Sequence, residues 1–234
     1  MIYVTSDLHG CSPDTLQTLL RSADFSDDDF LFVLGDVIDR GEYGAELLLW
    51  LTEQPNVQLI LGNHEAMMLA CSFLFQEVTD ETLEELDTDK LRLVSRWMKN
   101  GASPTLAGMR KYLKSDPELV EGILDYLHDA PLYETVRVGG KNYLLVHAGI
   151  DGYTPGKDLD SYDPHDLIWA RPTLDTRYST RFTTIFGHTP TEFISEAARD
   201  RALRTDTWIC LDTGAARGGT PMLLRLGDER EFYL

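Results

Sequence analysis

An α/β fold whose sheet begins largely parallel is predicted here by two features. Short apolar runs rich in β-branched and aromatic residues alternate with helical patterns as far as Leu61, and a long strand-free stretch then precedes a second set of runs. The first run, "IYVTS" from Ile2, is apolar on both faces, as a buried strand is. Pro13 and Asp14 open a helix that carries Leu16, Leu19 and Leu20. "FLFVL" from Phe30 is the second strand, "AELLLWL" from Ala45 the second helix and "VQLIL" from Val57 the third strand. That order makes βαβ units.

From Glu65 to about Asp129 helical patterns such as "LRLVSRWM" from Leu91 and "LVEGILDYL" from Leu119 replace strands, which predicts a helical insertion or cap. Seven acids from Glu77 to Asp89 are expected on a solvated helix face. After Pro131, "YETVRV", Gly139, Gly140 and "KNYLLV" predict a hairpin with a primed turn. "TTIFG" from Thr183 and "WICLD" from Trp208 are further buried strands, and "PMLLRL" from Pro221 continues as antiparallel strand. With no linker and no internal repeat, residues 1–234 are expected to form a single domain with the insertion at about 65–130.

Hydrophobic residues at 43% and charged residues at 26% predict a folded chain rather than a disordered one. The net charge of -18 argues against a nucleic-acid partner, since phosphate backbones need an excess of Lys and Arg. Arg171 to Arg217 departs from this balance, with seven arginines against six acids, so an anionic ligand would find arginines there. Cys11, Cys71 and Cys210 form no paired motif and are expected as reduced, mostly buried thiols. No signal-like start and no apolar run of about 18 residues is present, so no membrane partner and a cytoplasmic location are expected.

The residues just beyond each apolar run carry the functional signal. Asp7 and His9 follow the first strand; Asp36, Asp39 and Arg40 the second; Asn63 and His64 the third; His147 and His188 end two later ones. In α/β folds ligands bind outside the carboxyl ends of strands, so five segments deliver metal-type ligands to one place. Asp7 and His9, two apart, would point to one side of an extended segment. Carboxylate, imidazole and amide donors without thiolate suit manganese, iron or zinc in a non-sulfur site. His128 and His165 stand in polar surroundings and are set aside.

The motifs "DLHG" at Asp7, "GDVIDRG" at Gly35, "GNHE" at Gly62, "HAG" at His147, "WAR" at Trp169 and "GHTP" at Gly187 closely resemble the calcineurin-like metallophosphoesterases. Within them they resemble the phosphoprotein phosphatases of bacterial and phage type. The resemblance implies a sandwich of two mixed β-sheets flanked by helices, with a helical cap insertion. It implies two divalent metal ions, manganese foremost: Asp7, His9 and Asp36 on one, and Asp36, Asn63, His147 and His188 on the other. It further implies His64 as general acid oriented by Asp39, with Arg40 and Arg171 gripping phosphate.

The activity implied is direct hydrolysis of phosphomonoesters, those of serine/threonine phosphoproteins first and tyrosine next. The alternative is a symmetrical dinucleoside tetraphosphate hydrolase, a sister branch that commonly has Ala at Asp39 and Asp at Glu65. A nuclease-like relative would commonly show Gly-His-x-His, where this chain has Pro190, and a catalytically dead scaffold would have lost ligands that are all present. "NGAS" at Asn100 resembles a stretch near the active site in the bacterial family, and Asp212 is expected to support the site's floor.

Overall fold

Strands β1 (Ile2–Thr5) and β2 (Phe30–Val33) pair in parallel from Ile2 opposite Phe30 to Thr5 opposite Val33, and β3 (Val57–Leu59) continues the parallel order. The computed structural model describes residues 1–76 and 87–234. Helix α1 (Pro13–Ser22) is started by Ser12, whose Oγ accepts the Thr15 N–H at 3.2 Å, and buries Leu16, Leu19 and Leu20 as its spacing predicts. Helix α2 (Gly44–Glu53) returns the chain to β3.

From Asn63 the described chain is helical: α3 (Asn63–Ala70), α4 (Thr88–Lys99), α5 (Ser103–Ser115) and α6 (Pro117–His128). Most of the acidic stretch lies outside the described residues. Of its last two acids, the Asp87 side chain accepts the Lys90 N–H at the start of α4, and Asp89 sits in the first turn. Strands β4 (Tyr133–Val138) and β5 (Lys141–Val146) form the expected hairpin, with Gly139 and Gly140 both at positive φ as a primed turn requires.

β6 (Thr183–Phe186) and β8 (Trp208–Cys210) add to β5 in parallel, and β7 (Leu203–Arg204) closes that edge antiparallel. β9 (Leu223–Arg225) and β10 (Arg230–Phe232) return to β1. Two five-stranded mixed sheets result, in the orders β10-β9-β1-β2-β3 and β4-β5-β6-β8-β7. Short helices α7 (Pro164–Ile168) and α8 (Thr191–Ile194) lie in the later loops.

Alternation along the strands explains why their sequences are apolar throughout. Val4, Phe32, Tyr143, Leu145 and Ile185 fill the space between the sheets. Tyr3, Leu31 and Val33 pack outward against α1 to α6, and Leu144, Val146 and Phe186 outward against α7 and its loop. Cys71 and Cys210 are buried and Cys11 half-buried, and all three are free. Burial pushes the Cys11 thiol up to about 11. No helix among the described residues is long and apolar enough to cross a membrane.

The parallel ladder runs on past the strand ends. Asp7 N donates to Gly35 O (3.2 Å), His9 N to Asp36 O (2.8 Å) and Gly10 N to Val37 O (2.7 Å), so the loops after β1 and β2 lie against each other. A Cβ on Gly10 would stand 2.5 Å from the Gly41 carbonyl oxygen, at a φ of +61. Gly10→Ala is therefore expected to cost about 2–4 kcal/mol in urea unfolding of the metal-free protein. A change below about 1 kcal/mol would mean that these loops part easily.

Candidate metal centre and active site

Six residues expected in the site, Asp7, His9, Asp36, Asp39, Arg40 and His188, have positive φ, among only nine non-glycine residues that do so in the described structure. Such backbone costs about 1–3 kcal/mol per residue and persists only where the surroundings impose it. Asp7 and His9 thus sit in a left-handed turn, not in the extended segment the spacing suggests. They still converge, with His9 Nε2 4.0 Å from Asp7 Oδ1. Gly35 takes a φ of +73 as the turn after β2 needs, whereas Gly41 serves by letting the Gly10 loop approach.

Glu65, to which motif spacing assigns no role, proves central. It is buried without exposure, and its carboxylate accepts three consecutive backbone N–H groups: Asp36 N (2.8 Å), Val37 N (2.8 Å) and Ile38 N (3.3 Å). Helix α3, begun by Asn63, thereby fixes the turn that presents Asp36. Val37 and Ile38 are core residues, as expected.

Each imidazole is oriented by its outer partner. His9 Nδ1 donates to Ile38 O (3.0 Å), His147 Nδ1 to Leu34 O (2.7 Å) and His64 Nδ1 to Asp39 Oδ2 (2.6 Å). Their Nε2 lone pairs therefore face inward. His147 Nε2 meets Asn63 Oδ1 (3.0 Å), His188 Nδ1 (3.2 Å) and Asp36 Oδ1 (3.4 Å). His9 Nε2 is 3.6 Å and His64 Nε2 3.8 Å from Asp36 Oδ2. Asp36 stands at the centre, shared by two groups able to hold a metal ion: His9, Asp36 and His64, and Asp36, His147 and His188.

The donors fit cations. An ionised Asp36 and the Asn63 oxygen can only accept, so the lone pair of His147 Nε2 faces atoms with at most one proton to share. Asp7 Oδ1 is buried with no hydrogen-bond partner, while its other oxygen accepts from Ser6 Oγ and from His188 N (2.9 Å). Burial and the Asp212 charge hold the Asp7 carboxyl well above the usual range, and burial with the Asp7 and Glu65 charges does the same to Asp36. Burial lowers His9, takes His147 down to about 3, and with the charges of His147 and Arg171 takes His188 down to about 2. The two carboxyls thus resist ionising until a cation supplies the balance, while the imidazoles stay neutral, the form that binds one.

The two arginines differ in placement. Arg40 donates from Nη1 to His9 Nε2 (3.0 Å) and from Nη2 to His64 Nε2 (3.2 Å), directly inside the site. Arg171 is exposed at the rim and donates to Thr189 Oγ1 at 3.4 Å. Asn100 does not enter: its side chain donates to Arg96 O, and it is the neighbouring Gly101 carbonyl that accepts Arg40 N at 2.9 Å. Asp212 accepts Gly214 N at 2.9 Å beneath the site, and burial raises its carboxyl to about 6. Of the histidines set aside, His128 is exposed, but His165 stacks on Trp169, which edges onto His188. A groove of about 780 Å³ is lined by Leu69, Phe75, Leu113 and Leu124 and includes none of the ten expected site residues.

Residues 1–216 match the calcineurin-like phosphoesterase family. The chain belongs to that family. Members work through two metal ions, and the donor groups of this chain suit them. It is 27% identical over 199 residues to the symmetrical bis(5'-nucleosyl)-tetraphosphatase of Chromobacterium violaceum, covering 83% of this chain and 58% of that protein. It is 28% identical over 228 residues to serine/threonine-protein phosphatase 2 of Salmonella typhimurium, covering 93% of this chain and 89% of that one. The chain therefore spans little more than half of the first relative's length. A cold-active protein tyrosine phosphatase shares the fold with a TM-score of 0.55 at 17% identity, over 100% of this chain and 78% of the other.

The charge balance sets a sign for metal binding. In the metal-free protein the raised carboxyls of Asp7 and Asp36 hold their protons to higher pH than free carboxyls do, while burial keeps His9, His147 and His188 neutral. Mn²⁺ must displace those protons, so binding releases them, and the release shrinks as pH rises through the raised carboxyl values. Calorimetric titration in two buffers of different ionisation enthalpy should show net release that shrinks as the pH of the titration is raised. No release at the lower pH would mean that the carboxylates are ionised before the metal arrives.

Proposed function

We propose that this phosphoesterase is a metal-dependent phosphomonoesterase, a protein serine/threonine phosphatase that also accepts phosphotyrosine, and that residues 1–234 act as one unit with the helices of about 65–130 inserted. Held by Asp7, His9 and Asp36 on one side and by Asp36, Asn63, His147 and His188 on the other, two divalent ions, manganese foremost and iron or zinc as alternatives, supply an activated water and positive charge for the phosphoryl oxygens. Arg40 and Arg171 bind the remaining phosphate oxygens, for which the guanidinium fork is suited. As phosphate draws Arg40 off His64 Nε2, that nitrogen takes up a proton from solvent, the imidazolium being held by Asp39 through Nδ1–H, and passes it to the leaving oxygen. His64 is assigned to this step and not to the metal because Asp39, at 2.6 Å, is placed to stabilise its charged form.

The His64–Asp39 pair is the observation that carries the reading. A serine or threonine alkoxide is about as basic as hydroxide, from water of pKa near 15.7, and leaves only with a proton. A nucleotide phosphate, whose second pKa is about 6, leaves as an anion without one. A fully buried carboxylate kept on His64 is therefore useful for a poor leaving group and of little use for a good one.

The second reading, a symmetrical dinucleoside tetraphosphate hydrolase, draws support from the Chromobacterium relative. A side-by-side assay with Mn²⁺ separates the two: a phosphoserine peptide should be turned over faster than diadenosine tetraphosphate, with a phosphotyrosine peptide as the third arm. Preference for the dinucleotide would favour the second reading. His64→Asn should cost about 10² to 10⁴ in turnover of the phosphoserine peptide with metal content intact; unchanged turnover would remove His64 from the acid role. Asp36→Asn should lose both metal, read by elemental analysis, and activity.

A further inference from the structure

The carboxylate of Asp39 is gripped by three donors, and only one of them, His64, belongs to a strand-end motif. Trp97 Nε1, from α4, donates to Oδ2 at 2.7 Å, the oxygen that also accepts His64 Nδ1. Thr105 Oγ1, from α5, donates to Oδ1 at 2.7 Å. The same Thr105 oxygen accepts the Asp39 N–H at 2.9 Å, so its own proton is committed to the carboxylate. An indole N–H can only donate. Asp39, Trp97 and Thr105 are all buried without exposure, so no water takes over these bonds.

The backbone beside Asp39 is held by the same corner. Asp39 and Arg40 both have a φ of +69, and Arg40 N donates to the Gly101 carbonyl between α4 and α5 at 2.9 Å. A tryptophan needed only for packing could satisfy its N–H on any carbonyl. This one shares an oxygen with His64, so its removal frees the carboxylate to turn away from the imidazole.

We propose that Trp97 and Thr105 are positioning residues for leaving-group protonation: the α4–α5 corner holds the Asp39 carboxylate so that His64 presents Nε2 to the leaving oxygen. This rests on the reading of His64 as the general acid. The inserted helices then form part of the acid machinery and tune which leaving groups are accepted.

The test compares phenyl phosphate, a poorer leaving group, with p-nitrophenyl phosphate, a better one, on the Mn²⁺-loaded protein. Trp97→Phe and Thr105→Val should each lose about tenfold in kcat on phenyl phosphate and distinctly less on p-nitrophenyl phosphate, with KM and metal content held. Thr105→Ser, which keeps the hydroxyl, should restore the rate. His64→Asn serves as reference and should show the same skew, larger. Equal loss on both substrates in Trp97→Phe and Thr105→Val, or no loss, against a skewed His64→Asn overturns the positioning role and leaves the acid intact. Equal loss in His64→Asn overturns both. Should Trp97→Phe fail to fold, the Thr105 pair decides: a skewed loss in the valine variant restored by serine supports the role, and an unskewed or unrestored one overturns it.

Discussion

The grip of the Glu65 carboxylate on three successive backbone N–H groups is the interaction on which the rest of the site depends. Asp36 to Arg40 must leave β2 through backbone conformations that side chains other than glycine rarely adopt. Asp36 is the one residue common to both candidate metal groups, so an error in its turn would displace both at once. Glu65 offsets the strain with bonds worth roughly 1–3 kcal/mol each when one partner is charged. It does so from the first turn of α3, the helix that begins with Asn63, so one short helix both orders the turn and supplies a donor facing it. The two sheets are tied at the same place, by His147 to Leu34 O and by His188 N to Asp7.

Electrostatics explains why an acidic chain can keep this centre. Asp7, Asp36, Glu65 and Asp212 are all buried, which raises each carboxyl; the Asp212 charge adds to this at Asp7, and the Asp7 and Glu65 charges at Asp36. In a low-dielectric setting such a group is costly unless positive charge arrives or protons remain. Arg40 is the cation inside, and it cannot serve as a metal surrogate for Asp7 Oδ1, which has no partner. The geometry is therefore complete for a cation-loaded state and electrostatically unfinished without one.

Much of the site was legible because its donors obey a local rule: each stands within a few residues of the end of an apolar run. Continuous apolar runs identified the strands correctly because both faces of each sheet are covered. The hairpin was legible from two glycines whose freedom the turn uses. Glu65, Trp97 and Thr105 escaped for a different reason. Their contributions are hydrogen bonds to residues 27 to 66 positions away, which no local spacing encodes. Trp97 in particular looks like an ordinary core residue on an amphipathic helix, and the direction of its N–H is visible only once the helix is docked. Asp7 and His9 show the converse, a correct convergence expected from the wrong backbone geometry.

Relatives bearing two different substrate names share this fold, so the distinction between them has to lie outside the metal donors. On the proposed reading, what separates the two reactions is the basicity of the oxygen that departs. A protein handling an anionic leaving group gains nothing from burying a carboxylate behind His64 and would have to desolvate Asp39 for no return. Here that carboxylate is not only buried but held by donors from two further helices, at the cost of committing Trp97 and Thr105 to it. If His64 is the general acid, the helices after β3 bear on substrate choice from behind it, by fixing how the proton is delivered, before any contact they make with the substrate's body.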